Sequence, residues 1–326
     1  MIMNKKQKRL LCCVLTAGVG MMLLLLSVFL SGESEKDKEA NPSTVIEVWH
    51  VDSFEGGRGS RVEFLKRRAL SFTEKNKDTL ILVRALSEEG LTDALSKGLL
   101  PDLFSVSGVI AKRLLPYIQP YCGALHAEEH FAASGRKNGE QLFLPWHTGG
   151  YLLFAYNSTL EKAGISTENF TENPLDSRIQ SGKSCFLAIG EAEGHQPLSA
   201  IEKWQIPKHQ VLSQVEAYRM FCAHGSALLL GTQRDFFRLQ GRAERGGESF
   251  VCHALPYTDL VQYLAIGKDA KKEQATGFAS YLTEEESQTA LTEIGMLSVC
   301  GYPLYTGYGC RELEQALSKA SVRGVL

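Results

Sequence analysis

From residue 44 onward the chain alternates between two kinds of apolar pattern. TVIEVWH (44–50) and TLILVRAL (79–86) are short runs rich in β-branched and aromatic residues, the composition of buried strands. Between them Val62, Phe64, Leu65, Ala69, Leu70 and Phe72 recur at helical spacing, which predicts a helix opening near Gly59. Ser87, followed by Glu88 and Glu89, predicts a capped helix that buries Leu91, Ala94 and Leu95 and ends at Gly98. PDLFSVSG (101–108) is a third strand. Strand–helix–strand–helix–strand predicts a parallel sheet covered by helices, the α/β class.

The later pattern is less regular. LFLPWHTGGYLLFAYN (142–157) holds two apolar runs broken by Pro145, Trp146, His147 and two glycines, as if the chain crossed between two bodies. Strands are expected at 185–190, 226–233 and 257–267, and helices at 211–224 and in KKEQATGFASYL. Thr283 with Glu286 predicts a capping box for a further helix carrying Ala290, Leu291 and Ile294.

In open sheets of this kind, ligands bind outside the carboxyl ends of the strands. That rule brings WHVDSFEGGRGSR (49–61) and residues 105–108 to one crevice. The glycines of the first loop follow neither the G-x-G-x-x-G order nor the lysine-bearing P-loop pattern, so it is no nucleotide cradle. No nucleophile elbow occurs. HAEEH (126–130) fits the H-x-x-E-H pattern of inverted zinc proteases, with Glu129 as base if one helix carries both imidazoles. A zinc hydrolase is the remote alternative on that short match.

The first 43 residues differ from the rest. KKQKR precedes an uncharged apolar stretch at 10–30, then a polar linker. A helix of that length spans about 30 Å, the thickness of a bilayer core, and the basic end favours the cytoplasmic side. Residues 1–32 are therefore read as a signal peptide or uncleaved membrane anchor, with the anchor preferred, and 33–43 as a linker. The bulk of the chain is expected at the extracytoplasmic face of the cell membrane. Cys12 and Cys13 fall early in the apolar stretch, so no lipobox follows it. Without Lys5, Lys6, Lys8 and Arg9, 31 basic residues face 37 acidic ones, which speaks against nucleic acid as a partner. The remaining six cysteines are widely spaced, with no C-x-x-C, and are read as small buried thiols.

Four segments together resemble the extracellular solute-binding proteins of bacterial ABC importers, the carbohydrate-type family that includes maltose-binding protein. They are VIEVWH with its glycine loop and helix, GLLPDLFSVSG, FLPWHTGGYLLFAYNSTLEKAGI (143–165) and GFASYLTEEESQTALTEIGMLSV (277–299). The resemblance implies a two-lobed α/β fold with a ligand cleft between the lobes. Lobe 1 would comprise 44–149 plus 258–296. Lobe 2 would comprise 150–257 plus 297–326, and would be reduced because little chain follows Leu304. It further implies a binding protein and not an enzyme, with no cofactor, that captures a small solute such as a sugar or oligosaccharide and presents it to ABC permease subunits. A membrane-tethered sensor or scaffold subunit of the same fold is the alternative.

Sugar recognition needs flat apolar faces and polar groups at the ring edge. The expected ligand-binding residues are His50, Asp52 and Ser53 of the first loop, Ser107 at the third strand end, Trp146, His147, Thr148 and Tyr151 at the crossover, and Tyr257 at the return crossing. Arg234 and Asp235 are expected to form a local ion pair.

Overall fold

The computed structural model describes residues 42–54, 56–180, 185–204 and 208–325. The apolar stretch at 10–30 lies outside them. Among the described residues no helix is long and apolar enough to cross a membrane. Residues 44–326 form one compact unit.

The first half follows the periodicity. Strands β1 (Thr44–Val51), β2 (Thr79–Leu86) and β3 (Leu103–Ser107) pair in parallel, in the order β2-β1-β3. Helix α1 (Arg61–Lys75) starts where Ser60 Oγ accepts the Glu63 N–H, and it buries Phe64, Leu65, Ala69 and Phe72. Leu70, expected on that face, is 63% exposed, because it sits six residues from Phe64 and so off the i, i+4, i+8 stripe. Helix α2 (Glu88–Ser96) is capped by Ser87 as expected, and buries Leu91. Asp102 ties the sheet edge-on: its carboxylate accepts the Glu47 and Lys271 backbone N–H groups.

The chain leaves this sheet after β4 (Leu144–Thr148) and enters a second with β5 (Tyr151–Tyr156). The second sheet adds β6 (Cys185–Glu191), β7 (His209–Ser213), β8 (Ser226–Thr232) and β9 (Phe250–Ala254), in the order β7-β6-β8-β5-β9. Residues 211–213, expected in a helix, belong to β7; the helix is Gln214–Cys222, capped by Ser213. Helix α3 (Gln233–Glu244) leaves the end of β8. The expected strand at 257–267 divides into β10 (Tyr257–Thr258) and β11 (Val261–Gly267), because Asp259 and Leu260 carry the chain back to the first sheet. There β11 runs antiparallel to both β3 and β4.

Helix α4 (Lys272–Thr283) forms as expected, but the capping box does not. The Thr283 hydroxyl donates to the Ser280 carbonyl, and Glu286 pairs with Lys75. The last segment supplies α5 (Cys310–Leu317), whose Leu313 and Leu317 join Leu152, Phe154 and Leu229 in the core over the second sheet. Strand β12 (Ser321–Val322) then pairs with β10, and the Val325 N–H donates to the Ser134 carbonyl, beside Phe131 and Tyr263 of the first-sheet core. The tail therefore touches both halves. Among the described residues Cys122, Cys222, Cys252, Cys300 and Cys310 are free thiols; Cys252 and Cys310 are buried as expected, whereas Cys122 is exposed.

Candidate functional site

The carboxyl ends of β1, β3 and β4 meet the carboxyl ends of β6, β8 and β9 along one seam. Three stretches cross it: 148–150, 258–260 and 294–297. They are knit together by Thr148 Oγ1 donating to the Gly149 carbonyl, Thr258 Oγ1 donating to the same carbonyl, and the paired backbones of Thr148 and Leu297. Gly149 and Gly150 serve close approach here: a Cβ would fall 2.8 Å from Gln233 Nε2 at the first and 2.8 Å from Leu313 Cδ1 at the second. Gln233 Oε1 accepts the Gly150 N–H.

On the first-sheet side the network is specific in its protons. Ser105 Oγ receives Trp146 Nε1–H at 3.2 Å and Gln262 Nε2–H at 3.4 Å. Its own proton then points to His50 Nδ1, 2.9 Å away, which leaves the His50 Nε2 proton for Asp52 Oδ1 at 2.7 Å. Arg61 Nε sits 2.7 Å from the same carboxylate oxygen, and its guanidinium lies over the Phe54 ring while donating to the Phe54 carbonyl. Arg61 thus shapes the loop at 52–54 from inside. Burial opposes the Asp52 charge, but His50 and Arg61 outweigh it and bring its pKa down to about 2. With 42% of its side chain exposed, Asp52 is screened and adds little to stability.

His147 is wholly buried beside this network. Burial first, then the Arg61 charge, hold its pKa well below the usual histidine range. Neither ring nitrogen has a hydrogen-bond partner among the described residues. The same is true of Ser53 Oγ, Ser107 Oγ and Gln262 Oε1. Buried polar atoms are ordinarily paired, so this set is the feature of the site that most needs a partner.

The second-sheet side centres on Asp259. Its carboxylate accepts Tyr151 Oη–H at 2.7 Å and the Gln196 N–H at 2.6 Å, with His195 Nδ1 at 3.5 Å. Burial would raise its pKa, but the His195 ring, the Gln196 N–H and the Tyr151 hydroxyl together hold it below the usual carboxylate range. His195 meets Phe54 edge-on across the seam at 5.4 Å, and Val109 packs against Gly194.

The structure therefore brings His50, Asp52, Ser53, Ser107 and His147 to one side of the seam, and Tyr151 and Tyr257 to the other, their rings 6.1 Å apart. Thr148 is a structural tie. Trp146 points into the first-sheet core, its face stacked on Phe64 at 6.2 Å. Phe54, Arg61, His195 and Gln262 complete the seam without having been singled out as ligand residues, and Asp259 joins them from the return crossing, where the sequence places it beside Tyr257. The strand-end rule, extended from β1 to β6, would have marked His195. Asp235 pairs with Arg238 at 3.7 Å and accepts the Thr232 N–H, and the Arg238 and Arg234 charges both act on it. HAEEH does not form a two-histidine face: the helix starts at Glu129, Glu129 pairs with Arg136, and His130 Nε2–H donates to the Leu317 carbonyl.

Two groups give acid dependence of opposite sign. His147 titrates below its unfolded value, so its contribution is complete above about pH 6.5 and is lost as pH falls. Burial raises Asp235 to about 6, so the fold gains from it as pH falls from 6 toward 4. Urea titrations at a series of pH values should show His147→Gln losing less stability than wild type below pH 6.5. Asp235→Asn should lack the gain that wild type draws from this aspartate. Parallel pH profiles for all three proteins would contradict both assignments.

No protein-family model and no curated protein matches the chain. Solved structures do. The sugar-binding protein MalE of Xanthomonas citri superposes with a TM-score of 0.65 at 16% identity, covering 85% of this chain and 86% of that one. The fold is that of ABC-importer sugar receptors. The GacH receptor of Streptomyces glaucescens, solved unliganded and with acarbose, gives 0.61 at 14% identity over 88% and 89% of the two chains. Maltose-bound MalE3 of T. maritima gives 0.58 at 13% identity over 87% and 90%. The two-lobed α/β architecture expected from the sequence is thus present.

Proposed function

We propose that this chain is an extracytoplasmic solute-binding protein that captures a small solute, a carbohydrate by preference, for an ABC permease. The observation that carries the reading is the set of unpartnered buried atoms at the seam: Ser53 Oγ, Ser107 Oγ, both nitrogens of His147 and Gln262 Oε1. They supply hydroxyl, imidazole and amide groups, the mixture of donors and acceptors that suits a neutral polyhydroxylated ligand. Ser53, Ser107 and His147 stand at or just beyond strand carboxyl ends, where α/β folds bind ligands, and Gln262 joins them from the amino end of the antiparallel β11. The sugars held by the GacH receptor and MalE3 agree with it. The lobe limits 44–149 plus 258–296 and 150–257 plus 297–326 belong to the same proposal, as does tethering or export through residues 1–32.

Calorimetry of the full chain against a panel of mono- and oligosaccharides tests the reading. At least one member should bind, and small-angle scattering should show a more compact particle with it. His147→Ala should weaken that sugar about tenfold or more, the value of one buried hydrogen bond lost with its partner left unpaired. A panel without a binder would overturn the carbohydrate assignment.

A further inference from the structure

Phe54 follows β1 and reaches across the seam with 4% of its surface exposed. Its ring meets His147 of the first half edge-on at 6.4 Å and His195 of the second half edge-on at 5.4 Å. Both imidazoles are buried. Among the described residues, neither nitrogen of His147 has a hydrogen-bond partner, and neither has Nε2 of His195. A phenyl ring carries no donor or acceptor that could serve them.

The ring is held by its own loop and by α1. The Arg61 guanidinium lies 4.5 Å over its face and donates to the Phe54 carbonyl, while Arg61 Nε is tied to Asp52. Gly56 closes the loop against it: a Cβ there would come 3.2 Å from Phe54 Cε2. Phe64 gives the contrast. It stacks on Trp146, whose indole N–H is already taken by Ser105. Phe54 belongs to the same apolar cluster, yet it stands against two histidines whose polar atoms are left over. A hydroxylated six-membered ring in its place would have a similar outline and would offer those nitrogens hydroxyl groups.

We propose that Phe54 is a built-in plug, whose ring occupies the position between His147 and His195 that the ring of a captured sugar takes. The identity of the ligand rests on the carbohydrate reading above; the plug itself rests on the placement of the ring. Capture then requires the 52–54 loop to swing Phe54 out as the sugar enters. Affinity is reduced by the fraction of molecules in which the ring is displaced, and a minor conformer of about a tenth or less lowers it about tenfold or more.

Two measurements on the full chain test this. The first is calorimetry with glucose, maltose and maltotriose. Phe54→Ala should bind at least one of them about tenfold tighter than wild type or more, and Phe54→Leu, which keeps part of the filling, should gain less. The second needs no sugar. Phe64→Ala leaves an apolar hole, whereas the space vacated in Phe54→Ala is bordered by imidazole nitrogens that can hold water. The urea midpoint of Phe54→Ala should therefore fall clearly less than that of Phe64→Ala. A Phe54→Ala protein destabilised as much as Phe64→Ala, or one that binds a sugar bound by wild type no tighter, overturns the plug. Sugars bound by neither protein overturn the carbohydrate reading instead, and the urea comparison then decides the plug.

Discussion

Asp259→Ala is expected to lower the unfolding free energy by about 3 kcal/mol or more, read from urea denaturation at pH 7. The substitution strands the buried Tyr151 hydroxyl and takes the acceptor from the part-buried Gln196 N–H, each of which loses an ionised partner. A buried donor left without a partner costs about 1–3 kcal/mol, at the upper end where the lost partner was charged. His195 loses its neighbour as well. Asp259→Asn keeps one acceptor oxygen and should lose clearly less, and Tyr151→Phe less again. If Asp259→Ala and Asp259→Asn are equally stable, the carboxylate is not the hub of this side of the seam. Because Asp259 lies in a crossing stretch, the alanine variant should also give a larger radius of gyration than wild type.

Trp146→Ala should cost about 3–5 kcal/mol, the range for removing a large buried aromatic side chain. Trp146 is fully buried, stacks on Phe64, and donates through Nε1 to Ser105. The loss of packing dominates. The released Ser105 lone pair also weakens the arrangement that directs a proton to His50. Trp146→Phe keeps most of the volume and loses only the donor, so it should fall well short of the alanine cost. A Trp146→Ala protein as stable as wild type would mean that the ring does not pack against Phe64, and would return Trp146 to the cleft as a stacking surface.

The same residue shows what the sequence could and could not convey. Trp146 follows a proline and precedes a histidine in a break between two apolar runs, and local pattern places it at the crossover. It cannot say which way the ring points, because Phe64 and Ser105, its partners, lie 82 and 41 residues away in the chain. The β1–α1–β2–α2–β3 unit was legible because each element is set by its own period and caps. The split at Asp259–Leu260 was not, since 260–266 is apolar apart from Gln262 and reads on from Tyr257 as one strand, while the turn is imposed by pairing with β3 and β4. Val211 and Leu212 fit a helical period with Val215, yet β6 offers an open edge, and edge pairing won. His50, Asp52, Ser53 and Ser107 were singled out by one rule about strand ends, and His147 by the break between two apolar runs. The network around His50 was not legible, because Ser105 reaches it, and Gln262 reaches Ser105 and the Val51 carbonyl, only after the sheet has closed.

The placement of β11 has a consequence for how the chain acquires its shape. This strand is the inner neighbour of β3, yet it is made only after the whole second sheet. About 110 residues separate the end of β4 from its start, some 5–20 s of synthesis at ordinary ribosomal rates. Through that interval the β3 edge has no strand partner on that side. The first lobe cannot finish before the second has been made. Folding is therefore expected to be a single late event of high contact order, slow and governed by the return of β11.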